Sequence, residues 1–389
     1  MAGSEEVAIL VVDDSSFNRL LLRRRLGELG YANVAMAEDG IAALHALAER
    51  RYDVVLLDLE MPELDGIGVL ERMRASGRAE PPVIVISAQT GMENIVRCIE
   101  LGAEDYLPKS FEPAILRARL SAVLEKKRLR DLAAQRLQAL EDELASARNA
   151  QLSLVPRDFS AFATGRLRLH AAMIPARQVG GDLYDVQRLG KDHLLVTVAD
   201  VAGKGAPAGL TMARSLGLIR AAARLIADQG RVPDPAEILS RANADLAADN
   251  PEQTFVTAVL AVLDAHDGTG RIALAGHETP LRFGPAGLLP MPRLTRQPPL
   301  GIMEDFPFAS DPIALNAGEG LLLFSDGITE AEDGAGGFFQ RERLERCIAA
   351  HGADEPRGLV EALLRAVAEF SGSAPQADDI TALALRFGG

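Results

Sequence analysis

Two cysteines stand in 389 residues, too few for a disulfide framework. Cys98 and Cys347 each fall inside an apolar helical pattern, where a thiol serves as a small hydrophobe, so both are expected to be structural. Positive charge is also short: 41 Lys and Arg against 55 Asp and Glu give 41 − 55 = −14. Such a field repels a phosphate backbone and argues against nucleic acid as a partner. Long apolar runs are missing too. The strongest candidate, from Ala206 to about Ala227, contains Arg214, Arg220 and Arg224, and each would be penalised at the centre of a bilayer. The opening MAGSEEVAIL is acidic where a secretory leader would be basic, so the expectation is a cytoplasmic protein with no membrane partner. His45, His170, His193, His266, His277 and His351 form no HExxH or similar pair, and VAGKG at 201–205 lacks the spacing of a phosphate loop, which leaves zinc-hydrolase and nucleotide-binding readings unsupported. What remains is ordinary globular composition, 48% apolar and 25% charged, in a chain long enough for two or three domains at roughly 150 residues each.

From Val7 to about Leu124, short apolar runs alternate with longer amphipathic stretches, the pattern of a parallel sheet with helices on both faces. The runs are VAILVV, NVAMA, DVVLLD, PPVIVIS and DYLPK. Four of them end on Asp13 and Asp14, on Asp58, on Ser87 and on Lys109, and in an open doubly wound sheet such ends converge on one crevice. Three carboxylates gathered there repel one another unless a cation lies between them, and an all-oxygen set suits Mg²⁺. Lys109 can neutralise a transferred phosphoryl group and the Ser87 hydroxyl can bond to it, so the parts describe phosphorylation of an aspartate.

These residues, VVDDS at 11–15, LLDLEMPELDG at 56–66, VISA at 85–88 and DYLPK at 105–109, resemble the receiver domains of two-component response regulators. The resemblance implies a doubly wound five-stranded parallel sheet over 1–124. It implies Asp58 as phosphoacceptor, Asp13 and Asp14 with Asp58 around Mg²⁺, Ser87 and Tyr106 as the switch pair, and Lys109 as the phosphate-contacting lysine. A sensor histidine kinase or phosphotransfer protein is the implied partner. One position departs: Ser110 stands where receivers usually carry a cis proline, and a cis bond without proline costs about 2.5–4 kcal/mol, so the geometry of the Lys109–Ser110 loop stays open.

From about Ala114 to Leu154 the pattern is helical, with neither Gly nor Pro. Leu137, Leu140, Leu144, Ala147, Gln151 and Leu154 step three and four residues apart along one coiled-coil seam, which favours a homodimer through a linker at 125–157. Leu129 and Leu132 fall out of that register, so local unwinding or a change of partner is expected there. The other reading is one amphipathic helix packed on its own domain.

Pro156 breaks the helix, and strand-like runs follow: LRLHAAMI, HLLVTVAD, TFVTAVLAVLD, RIALAGH, GLLLFSD and ITALALRF, with two long helical stretches between the second and third. Strands and helices in separate blocks argue for an α+β domain. Asp182, Asp200, Asp326 and Asp378 fall at strand ends or glycine turns, which expose a carboxylate. Hydrolysis of a phosphomonoester needs a deprotonated water and a neutralised phosphate, and two carboxylate-held divalent ions about 3.5–4 Å apart supply both. The stretch from PARQVGGDLYD at 175–185 through DVAGKGAPAGLTM, LAGHETPL, LLLFSDGITEAED and ADDITAL is similar to the metal-dependent PPM (PP2C) serine/threonine phosphatases, in particular their SpoIIE-like branch. The resemblance implies a PP2C-like fold over 158–389 with two Mn²⁺ or Mg²⁺ ions. Asp182 would ligate one ion, Asp200 would bridge both, and the Val201 carbonyl would complete the set. Asp326 and Asp378 would hold the other ion, with the role of Asp379 open. GHETP and FFQRERL depart from the family's usual residues without touching a ligand, and His277 is expected to be a structural loop residue.

A receiver, a helical connector and a phosphatase together read as a response regulator whose phosphorylation on Asp58 controls a protein serine/threonine phosphatase. The resembling families act on phosphoserine or phosphothreonine of anti-sigma factor antagonist (STAS) proteins in partner switching. The alternative is a non-catalytic adaptor that binds a sigma factor or its regulator, against which the intact ligand positions argue.

Overall fold

The computed structural model describes residues 6–76, 81–88, 92–162, 165–177, 179–248 and 250–388. The chain divides into two compact units, Met1–Leu140 and Glu141–Gly389.

The first unit alternates β1 (Ile9–Val12), α1 (Ser16–Glu28), β2 (Val34–Ala37), α2 (Gly40–Glu49), β3 (Val54–Leu57), α3 (Gly66–Ser76), β4 (Val83–Ser87), α4 (Met92–Glu100) and β5 (Asp105–Pro108), and then enters α5 (Pro113–Leu152). The sheet is parallel, in the order β2-β1-β3-β4-β5. Its central strands are β-branched and leucine runs buried on both faces, as a parallel sheet covered by helices on each side requires. Leu10, Val12, Val55 and Leu57 face one core with Cys98, while Ile9, Val11, Val54 and Leu56 face the other with Leu116, Leu120 and Val123 of α5. Helix starts are capped locally: Ser15 accepts the Asn18 amide and Asp39 the Ala42 amide.

α5 is continuous over its 40 residues, so the unwinding expected near Leu129 and Leu132 does not occur. The heptad slip lies in the side-chain pattern and leaves the backbone ladder intact. Leu137, Leu140 and Leu144 stand exposed. Gln151, expected on the same seam, is instead buried in the second unit.

The second unit comprises β6 (Leu167–Ile174), β7 (Leu183–Leu189), β8 (His193–Val201), α6 (Ala206–Ala227), α7 (Pro235–Ala248), β9 (Val256–Asp264), β10 (Thr269–Ala275), β11 (Leu281–Gly284), β12 (Gly287–Leu289), β13 (Asp311–Ala314), β14 (Gly320–Phe324), α8 (Asp326–Thr329), α9 (Gln340–His351), α10 (Pro356–Ser371) and β15 (Ile380–Phe387). Two antiparallel sheets result, β13-β10-β9-β8-β7 and β12-β11-β14-β15-β6. Period-two alternation builds the layers. Leu321, Leu323, Leu383 and Leu385 point into the core shared with the other sheet and with α6 and α7, while Leu322, Phe324, Ala382 and Ala384 pack under α9 and α10 beside Cys347. The sheets are thus sandwiched between two helical layers. α9 and α10 and the short strands β7, β11, β12 and β13 add to the runs legible in the sequence.

Candidate functional site

In the first unit Asp13, Asp14 and Asp58 lie just past the ends of β1 and β3, with one carboxylate oxygen from each within 4.8 Å of the others. Asp13 and Asp58 are buried and Asp14 is exposed. The Ser15 amide at 2.9 Å and the Asn18 side chain at 3.1 Å orient Asp13. Gly66 permits the loop after β3 to close, since a Cβ there would stand 2.3 Å from the Asp58 carbonyl oxygen. Lys109 Nζ lies 2.7 Å from Asp58 Oδ2 and 3.1 Å from Asp13 Oδ2. Burial raises the Asp58 pKa even so, with Lys109 opposing it. Desolvation works against the Lys109 charge, but its two carboxylate partners outweigh it and raise the ammonium pKa. Asp58 Oδ1 is buried without a hydrogen-bond partner among the described residues. An orphan acceptor within three carboxylates, with one ammonium among them, fits a hard divalent cation. Ser87 is buried, and burial raises the Tyr106 phenol pKa against a hydrogen bond with Ser87, so the expected switch pair is in contact. The described residues hold no cis peptide, so the Lys109–Ser110 bond is trans.

In the second unit strand register assembles the carboxylates. β7 and β8 pair antiparallel with Leu183 opposite Ala199, which sets Asp182 beside Asp200 at one end of one sheet. β14 and β15 pair with Phe324 opposite Ala382, which brings Asp326 and Asp378 to one end of the other. Ser325 joins the sheets, its Oγ donating to Asp182 Oδ2 at 2.7 Å and accepting the Thr381 amide at 3.0 Å.

Repulsion in this array is strong. Asp182 is wholly buried, and desolvation followed by the Asp200 charge holds its pKa well above the carboxylate range. Asp200 is raised to about 7 by burial and then by Asp326. Asp326 is raised by burial and then by Asp378. Lys204 supplies positive charge at the rim, 3.2 Å from Asp378 Oδ2 and 2.6 Å from the Ala377 carbonyl. Among the described residues no three of these carboxylates draw as close as the trio of the first unit. Carboxylates that repel one another in this way fit a divalent cation among them. Gly181 adds a cradle, because a Cβ there would stand 2.8 Å from the Val201 carbonyl and 3.5 Å from Asp200 Oδ1.

The sequence left three parts of this site unread. Asp379 is a staple: its Oδ1 accepts the Ala176 amide at 2.7 Å, and its Oδ2 accepts those of Gly181 at 2.6 Å and Asp182 at 3.3 Å. Ser325 orients Asp182, and its place before Asp326 in FSDG was the available signal. Gln151, in the last turn of α5, donates to the Gly180 carbonyl at 2.5 Å and accepts the Gly180 amide at 3.0 Å. The chain just beyond it is tied as well. Arg220, paired with buried Asp185 at 2.6 Å, reaches the Leu154 carbonyl, and the Tyr184 hydroxyl donates to that of Pro156. His277 bonds Thr257 at 2.8 Å, and burial drives its imidazole down to about 4, so it is neutral at physiological pH.

Comparison with known proteins finds two matching families. Residues 9–121 match "Response regulator receiver domain" and residues 190–388, just over half of the chain, match "Stage II sporulation protein E (SpoIIE)". Asp200, Asp326 and Asp378 lie inside the second match and Asp182 lies ahead of it. Response regulator MprA of Mycobacterium ulcerans (strain Agy99) is 42% identical over 125 residues, 32% of this chain and 53% of that protein. The chain therefore spans about half the length of the curated relatives it matches. The SiaA-PP2C domain of Pseudomonas aeruginosa is 25% identical and superposes with a TM-score of 0.58, over 65% of this chain and 99% of that one.

Proposed function

The chain belongs to the SpoIIE family of PP2C-type phosphatases and carries a response-regulator receiver domain, and on that premise we propose that phosphorylation of Asp58 by a sensor histidine kinase or phosphotransfer protein controls metal-dependent hydrolysis of phosphoserine or phosphothreonine on a protein. The observation that carries this reading is the row Asp182, Asp200, Asp326, which strand register and the Ser325 bridge bring to the ends of the two sheets, where burial and neighbouring carboxylates push their pKa values up. Such a row is stable as carboxylates only with cations among them. Asp182, Asp200 and the Val201 carbonyl would hold one ion, and Asp326 and Asp378 a second, with Asp200 between the two; Mn²⁺ and Mg²⁺ both suit the oxygen ligands. Bound divalent ions supply the positive charge and acidified water that phosphoryl transfer to water requires. The protein's own part is to hold the carboxylates in place: Ser325 fixes Asp182, Asp379 fixes the Gly181–Asp182 backbone, and Lys204 presents an ammonium at the rim.

In the receiver, Asp13, Asp14 and Asp58 would hold Mg²⁺, Lys109 would meet the phosphoryl oxygens, and Ser87 with Tyr106 would report the change. We take 1–124 as receiver, 125–157 as connector and 158–389 as phosphatase. The exposed stripe of Leu137, Leu140 and Leu144 supports a homodimer through the connector. The substrate we propose is an anti-sigma factor antagonist of the STAS type, in a partner-switching cascade. No described helix is long and apolar enough to cross a membrane, and a cytoplasmic setting accords with a kinase and a phosphoprotein as partners.

The test is turnover of p-nitrophenyl phosphate and of a phosphoserine protein with Mn²⁺ or EDTA, each with and without beryllofluoride. Manganese-dependent turnover, lost in Asp200→Asn and altered by beryllofluoride unless Asp58 is replaced, is the expected result. No turnover on either substrate, with beryllofluoride still bound by the receiver, would refute the enzyme and favour an adaptor.

A further inference from the structure

A cleft of about 250 Å³ opens beside the second carboxylate pair. Its walls are apolar, with Ile174, Leu364, Val367 and Ile380 among them, and its rim includes Gly327, next to Asp326, and Asp378 itself. Ile174 remains exposed at the end of β6, so the cleft is open to solvent. The volume is below the range of pockets that take a whole drug-sized ligand, roughly 300–1,000 Å³, and suits one or two aliphatic side chains. Glu332 and Asp378 on the rim make it hostile to an acidic group. The cleft shares Asp378 with the carboxylate pair, so a chain whose phosphorylated residue lay there would run beside it.

We propose that the cleft seats an apolar side chain of the phosphoprotein, close in sequence to the phosphorylated serine or threonine, and so sets local sequence preference. The inference rests on the phosphatase reading and adds a subsite to it. Two sites of contact, phosphate on the carboxylate array and an aliphatic anchor beside it, fix the direction in which the substrate chain runs across the surface.

The test uses the full chain with Mn²⁺ and phosphoserine peptides carrying leucine or aspartate at one position at a time on either side of the phosphoserine, each competing against p-nitrophenyl phosphate. At one position leucine should compete roughly tenfold better than aspartate, the discrimination that a small apolar pocket delivers. Ala368→Trp fills the cleft and Ala374→Asp puts a charge in its wall. Both should abolish the preference while turnover of p-nitrophenyl phosphate, which reports folding and the metal site, is unchanged. Equal competition at every position in the unaltered chain, or a preference that survives both substitutions, overturns the proposal. A changed oligomeric mass in Ala368→Trp with the peptide preference intact also overturns it, in favour of a second copy covering the cleft. Absence of any Mn²⁺-dependent turnover takes down the phosphatase reading, whereas turnover of p-nitrophenyl phosphate without a leucine preference refutes the subsite alone.

Discussion

Replacing Asp379 separates a staple from a metal ligand. Its carboxylate accepts three main-chain amides, two of them on the Gly181–Asp182 backbone. An asparagine offers one acceptor oxygen. Placed at the Oδ2 position it keeps the Gly181 and Asp182 amides, but its own NH₂ then faces the Ala176 N–H. One bond is lost and two donors oppose each other, at a cost of about 2 kcal/mol. Alanine abandons all three amides and should cost about 4 kcal/mol. The deleted charge also repels Asp182 and Asp200, which offsets part of this. In both cases Asp379 is the last of the named causes, so the lost bonds win. Urea unfolding of the full chain followed by circular dichroism gives the sizes, and hydrogen exchange on the peptide carrying Gly181 and Asp182 gives the place. Asp379→Asn should speed exchange there and Asp379→Ala should speed it further. Unchanged exchange in the alanine variant, or a midpoint equal to that of the unaltered chain, would refute the reasoning.

Further outcomes follow from the same geometry. Asp200 is raised from 3.8 to about 7, so the folded chain holds that proton more tightly than the unfolded one; its contribution to stability is full below the ordinary carboxylate pKa and is lost as pH rises through about 7. In EDTA the melting temperature of the second unit should fall from pH 5 to 8, about one to four units above the ordinary Asp pKa, and Mn²⁺ should flatten that slope; a flat profile in EDTA contradicts it. Lys204→Ala removes a pair that is more than a third exposed on both sides, so stability should change by less than about 1 kcal/mol, while the Mn²⁺ concentration for half-maximal turnover should fall because Asp378 loses a competing cation. Gln151→Leu keeps the volume but strands the amide and carbonyl of Gly180, so the second unit should lose about 2 kcal/mol in urea titrations.

Much of this was legible because strands that feed a crevice end in chemistry. Asp13, Asp58 and Asp200 sit at or just past strand ends, and apolar runs of the right period reveal those strands without tertiary information. Asp379 was not legible, since two adjacent aspartates look alike in sequence. In the fold Asp379 is engaged by amides some 200 residues away, such as that of Ala176. Gln151 was misplaced for a related reason. Heptad spacing extends Leu137, Leu140 and Leu144 smoothly to position 151, yet a helix can leave a seam and enter a core with no break in its pattern. α9 escaped because its charged residues mask a narrow apolar stripe, whereas α10 carries Leu359, Val360, Leu363 and Val367 at helical spacing and was open to reading.

Gln151 meets Gly180, 29 residues further on, as one strand meets another, giving one donor and taking one acceptor on the same residue. Few side chains can imitate a peptide in this way. Glutamate has no donor, lysine and arginine have no acceptor, and asparagine is one methylene short. The position therefore has an alphabet of nearly one letter, and a glutamine in the last turn of a helix ahead of a Gly-Gly-Asp becomes a typographic mark. It can be searched for in other sequences, to sort phosphatase domains wired to an upstream helix from those that stand alone.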